Sequence, residues 1–256
     1  MQSKEYVFDA ATDAMNSRSI TTLRGRRATG IAAIALAVAF NIPYAILASI
    51  YEYPGILRTS PAEALDRFAA GGPFLILVWH GFAMAALTLA PLGIALAITP
   101  GRLRDTPALA IGAAITGAMA GLAQAIGLSR WVFVVPELAR THTDPASSPS
   151  VRAAAERAFE LLNAYGGVAI GEHLGQVLTA LFVAMLAMLQ WRERAKATSI
   201  TGLVSALALI AGTNEGLAMA LGSIGNSFAL ATIAGFLVLT GWLIATGIGL
   251  LRRPTR

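Results

Sequence analysis

Glu172 and His173 stand side by side in NAYGGVAIGEHLGQVLTALFVAMLAMLQW (163–191), a stretch apolar enough to lie inside a membrane. An acid and an imidazole facing hydrocarbon are costly unless they meet protein or water, so ionisable residues at such depth mark a site. The chemistry open to them is proton exchange, pairing with a cation, or ligation of a metal. Polar groups recur in the other apolar stretches, at Asn41 (FNIPY), His80 (LVWHGF) and Asn214-Glu215. Arg130, Trp131 and Glu137 follow the third stretch, in SRWVFVVPELA.

The composition says what kind of element must carry these residues. The chain has 256 residues, 56% of them hydrophobic and 13% charged, with a mean hydropathy of +0.65. That is too apolar and too poor in charge for an ordinary soluble domain. The fold class expected is therefore all-α, a polytopic membrane protein. The net charge of +5 does not signal nucleic acid, because the basic residues cluster at the ends of apolar runs, as orientation signals do. There are no cysteines, which excludes disulfides, thiolate nucleophiles, iron–sulfur clusters and cysteine-ligated zinc.

In chain order the sequence predicts a polar cytoplasmic tail over 1–28 and one six-helix membrane domain over 29–256, with spans at about 29–51, 73–98, 107–128, 164–191, 200–221 and 228–251. Pro43 should free the carbonyl of Ala39 and kink the first span. Ser60-Pro61-Ala62-Glu63 combines an N-cap, an N1 proline and a capping-box acid, so a short amphipathic helix should start there, lie on the membrane and stop at Gly71-Gly72. From Pro149, apolar residues recur at helical spacing opposite Arg152, Glu156, Arg157 and Glu160, a second amphipathic helix, while His142 reads as a loop residue. That helix plus the fourth span would measure about 60 Å, twice the hydrocarbon thickness, so a break is expected at Gly166-Gly167. Ala113, Gly117, Gly121 and Ala125 form a small-residue face that lets another helix approach closely.

Six spans place both termini on one side. With the termini inside, 13 basic residues fall inside (Lys4, Arg18, Arg24, Arg26, Arg27, Arg102, Arg104, Arg192, Arg194, Lys196, Arg252, Arg253, Arg256) and 6 outside, the asymmetry of a protein of the cell inner (plasma) membrane with both termini cytoplasmic. Counted from the outer ends, His80 lies roughly 12 Å deep, His173 roughly 14 Å, Glu215 roughly 10 Å and Asn41 roughly 15 Å. The expectation is one polar cavity opening outward. At least three of His80, Glu172, His173 and Glu215 should line it, with Arg130 and Glu137 at its mouth. The bland readings stand beside this one: Asn41 as helix glue, His80 hydrogen-bonded to backbone, Arg130-Trp131 as an interfacial anchor.

YPGIL (53–57), GLSRWVFVVPELA (127–139) and GGVAIGEHLG (166–175), in this order among six spans, resemble the bacterial membrane proteins grouped as domain of unknown function 4386. The resemblance covers most of the chain from residue 29. It implies the six-span architecture and adds weight to Arg130, Trp131, Glu172 and His173, but it supplies no activity.

Three function classes follow. The first is binding or transport of a small molecule or ion, with ligand-binding residues His80, Arg130, Trp131, Glu137, Glu172, His173, Asn214 and Glu215, and with Glu172 and Glu215 exchanging protons. The second is a membrane-embedded haem- or metal-binding protein or enzyme using His80, His173 and Glu172. The third is a regulatory or assembly subunit. HExxH, GxSxG and a phosphate-binding glycine loop are absent, so no catalytic residue and no cofactor is assigned. The partners expected are the lipid bilayer and a small ligand. A homo-oligomer is allowed by the sequence but not specified by it.

Overall fold

The computed structural model describes residues 2–222 and 226–252. The side chains of Lys4, Arg18, Arg253 and Arg256, counted above in the charge asymmetry, lie outside what is described. Among the described residues there is no strand, and six helical segments are long and apolar enough to cross a membrane: Arg24–Ile50, Pro61–Ala97, Pro107–Thr143, Pro149–Arg192, Lys196–Ala218 and Phe228–Arg252. Exposed Ile115, Leu122, Leu207 and Leu230 give these segments an apolar outer surface suited to lipid.

Helix α1 (Gln2–Ile50) stays helical through Pro43. The side-chain amide of Asn41 donates to the Ala37 carbonyl and to Thr240 Oγ1 of the last helix, so this residue ties α1 to a neighbour. A 3₁₀ turn, Gly55–Arg58, leads to α2 (Pro61–Ala97), whose N-cap is Ser60, accepting from the Glu63 amide. Gly72 interrupts α2 at φ 60°, a conformation open to glycine and strained for other residues. The part before the kink is the predicted amphipathic helix, and its apolar face is covered by protein. Ala64, Leu65 and Phe68 are buried, packed into a helical cap with α5 (Val135–Thr143) and α6 (Pro149–Leu162).

The short α3 (Pro100–Asp105) joins α2 to α4 (Pro107–Phe133), which packs along α2 and α7 (Gly175–Arg192). The small residues predicted for close packing serve that purpose. A Cβ on Gly121 would come 2.8 Å from the Ala90 amide nitrogen, and one on Gly117 would come 2.7 Å from the Phe182 ring.

The expected break at Gly166-Gly167 does not occur. The chain continues from α6 through a π-helical segment, Asn163–Leu174, into α7. The extra length is taken up by α6, which belongs to the cap instead of crossing the bundle, and by the wide π turns, which need no chain reversal. In the cap His142 ends α5 and is not in a loop. It is buried, with Nε2 3.3 Å from Asp66 and Nδ1 3.4 Å from Glu156, linking the start of α2 to α6. Helix α8 (Lys196–Gly212) is followed at Thr213 by α9 (Asn214–Ala220), and α10 (Asn226–Arg252) packs on α8 and α1.

Two cores result. One fills the middle of the bundle around Phe182, Leu186, Leu209 and Trp242. The other, under the cap, is aromatic: Trp79 and Trp131 stack at 4.8 Å and 9°, with Tyr51, Phe68 and Phe159 against them. At the far end of the bundle, Arg102 grips Glu193 at two points, 2.6 and 3.0 Å, and also donates to the Leu96 carbonyl.

Candidate functional site

At the capped end a cavity of about 380 Å³ opens among α1, the 3₁₀ turn, α2, α4, the π segment, α9 and α10. Its wall is mostly apolar and aromatic, including Phe40, Tyr44, Tyr53, Trp79, Phe82 and Phe236, with charge concentrated at one end. That end is built by Arg58. Its Nη2 donates to Glu172 Oε2 at 2.8 Å and to Glu215 Oε1 at 3.1 Å, joining the turn after the first span to the π segment and to α9. The three side chains keep 28%, 25% and 15% of their surface exposed, so the pairing faces the cavity mouth and is not sealed in the core. Burial alone would lower Arg58, but the charges and hydrogen bonds of Glu172 and Glu215 outweigh it and hold the guanidinium above its usual range.

Arg130, the second cation on the cavity wall, lies deeper than the mouth position expected for it and is buried. It donates to the Gly127 carbonyl and, at 3.0 Å, to Asn163 Oδ1, and its guanidinium carbon is 5.1 Å from the Trp131 ring centroid. The glycines make room for it. A Cβ on Gly167 would sit 2.6 Å from Arg130 Nη2, and one on Gly127 would sit 2.6 Å from Gly171 Cα, so the π segment lies on α4 at backbone contact. Four buried polar atoms on this wall have no hydrogen-bonding partner: Arg130 Nε, Glu172 Oε1 and the indole nitrogens of Trp79 and Trp131.

Of the residues singled out in the sequence, Arg130, Trp131, Glu172 and Glu215 line the cavity, and so does Asn41. The other four do not. His80 is exposed, one residue past buried Trp79, so the helical phase that sends Trp79 inward turns the imidazole away. The Nδ1 of His173 donates to the Thr213 carbonyl at 3.1 Å, holding the end of α8. Glu137 pairs with Arg140 on the exposed face of α5, and Asn214 donates to the carbonyls of Ile210 and Ala211 on its own helix. Two of the four deep ionisable groups share the cavity, instead of the three expected. Neither His80 nor His173 lines this cavity, and among the described residues no three His, Asp or Glu side chains are gathered to hold a metal ion.

Arg58 is the residue that sequence reasoning missed. Its signal was indirect: two carboxylates buried in spans require a cation, and an arginine ends the same short connection as YPGIL.

Fold and site together define an all-α polytopic membrane protein with an ion-paired cavity at one end. The family model described as Domain of unknown function (DUF4386) matches residues 28–247, and the chain belongs to that family. No curated protein and no solved structure matches the chain.

Proposed function

We propose that the protein binds a small ligand in the cavity at the Arg58 end and that this binding serves uptake or transfer at the membrane. One observation carries the reading: the ion cluster of Arg58, Glu172 and Glu215 stands at the rim of a ligand-sized, largely aromatic chamber, where the apolar body of a ligand and its polar end can be held at once. A carboxylate cluster serving structure alone needs no chamber beside it. The charge asymmetry of the sequence supports an orientation with this end outward and both termini in the cytoplasm of a cell whose inner membrane holds the protein. Glu172 and Glu215 remain the candidates for proton exchange, with Arg58 as the counter-charge that a bound ligand would displace or share.

The test uses the absence of native cysteine. Gly55 lines the cavity, and nothing lies within 4 Å of a Cβ placed there, so Gly55→Cys should fold normally. A membrane-impermeant maleimide is expected to modify it in intact cells. Modification only after the cells are permeabilised would overturn the outward cavity.

A further inference from the structure

The cavity wall takes residues from both α1 and α10. Helices α1 and α10 touch at two levels: a Cβ on Gly30 would lie 2.9 Å from the Gly247 carbonyl oxygen, and further along Asn41 donates to Thr240. Both helices line the cavity, with Phe40 and Tyr44 from α1 and Ala229 and Ile233 from α10. Leu237 lines this space and is 61% exposed. It lies nine residues into the Phe228–Arg252 span, about 14 Å along the helix axis and so near the middle of a hydrocarbon layer of about 30 Å. A cavity wall exposed at that depth faces lipid chains and not water.

The polar end constrains the head of whatever enters. Arg58 and Arg130 carry two positive charges and Glu172 and Glu215 two negative ones, and all four line the cavity. They sum to zero, so a ligand with net charge would leave one charge in a low-dielectric wall uncompensated. A neutral polar or zwitterionic head leaves the balance intact and can still meet the Glu172 side chain, which keeps 25% of its surface exposed. We infer that the cavity takes a single-chain, net-neutral or zwitterionic amphiphile, which enters sideways from the bilayer between α1 and α10 with its head at the Arg58 cluster and its chain against Phe40 and Phe236. The volume of about 380 Å³ accommodates a head and the start of one chain, the remainder staying in lipid through the opening. This rests on the reading of the cavity as a binding site and names its ligand class.

Two of the four tryptophans, Trp79 and Trp131, line the cavity, while Trp242 is in the core and Trp191 is exposed. Trp191→Phe protein in nanodiscs of phosphatidylglycerol is titrated with lysophosphatidylcholine brominated on its chain. Saturable quenching is expected, with a half-quenching mole fraction about tenfold lower than for a brominated fatty acid kept ionised at a pH of about 9. Narrowing the side opening with Ile233→Phe and Leu237→Phe should raise it by a similar factor. Quenching that only grows in proportion to mole fraction, equal quenching by the fatty acid, or no effect of the narrowed opening overturns the inference. The fatty-acid comparison needs no variant at the opening and stands if that variant fails to fold. Should glycine betaine protect Gly55→Cys from maleimide while the amphiphile gives no saturable quenching, the cavity binds a soluble zwitterion and the amphiphile is wrong. Should Gly55→Cys be unreachable from outside, the outward-open cavity itself fails.

Discussion

Arg58 Nη2 lies 2.8 Å from Glu172 Oε2, across 114 residues of sequence, and this contact closes the polar end of the cavity. The pair is neither fully exposed nor sealed, so its energetic weight falls between the ~0–1 kcal/mol of surface pairs and the ~3–5 kcal/mol lost when one partner of a buried pair is removed. Arg58→Gln is expected to destabilise the protein by about 1–3 kcal/mol, read as a lower midpoint of thermal unfolding. Adding Glu172→Gln should cost less than its effect in the native background. Additive losses in the double-mutant cycle would mean the two groups are not coupled.

The same cluster fixes a pH dependence. Glu172 and Glu215 hold Arg58 above its ordinary range, and a cation raised in the folded state contributes stability that is fully present below its unfolded value and is lost as pH rises from there through the raised one. The stability gap between the native protein and Arg58→Gln should therefore be the same at neutral pH and at pH of about 10, well below the usual arginine range of ~12.5 and above. A gap that narrows on the alkaline side by pH of about 10 would show that some other group carries it.

Burial pushes the hydroxyls of Tyr51 and Tyr53 well above the usual phenol range, beyond what their neighbouring arginines restore. Stability from these phenols is fully present below the unfolded value of about 10 and declines as pH rises above it. Tyrosinate absorbance at a pH of about 11 should therefore report fewer than the five tyrosines present, the remainder ionising only on unfolding. Full ionisation with the helical circular dichroism intact would contradict the burial.

Gly127 and Gly171 bring α4 and the π segment to backbone contact. Gly127→Ala should destabilise by about 1–3 kcal/mol, since the clash is with backbone that cannot rotate away. Gly81→Ala, with nothing within 4 Å of the new Cβ, should be close to neutral. Thermal unfolding in detergent compares the two, and equal midpoints would show that the glycine contact does not set the packing.

That six helical segments are long and apolar enough to cross a membrane was legible because it follows from hydropathy alone, and the Ser60 N-cap because it is a local hydrogen bond. Glu172 and Glu215 were legible because a carboxylate in a span needs a partner. Depth along each helix could be counted, but rotation about its axis could not. His80 stands on the exposed face of its helix, displaced by Trp79, whose larger apolar surface decides which side is buried. Arg58 was hidden for a different reason: a connecting segment has no periodicity to place it, and its fold back over the bundle depends on groups 114 and 157 residues away. The unbroken passage through Gly166-Gly167 likewise depends on tertiary contact with α4.

The central claim is that the chamber beside Arg58, Glu172 and Glu215 holds a ligand. Native mass spectrometry of the protein released from membrane-derived nanodiscs measures this directly, comparing the native chain with Ile233→Trp, which fills the chamber from α10. The account predicts a discrete bound mass retained by the native protein and lost from the filled variant. The same mass retained equally by both, or by neither, would contradict it.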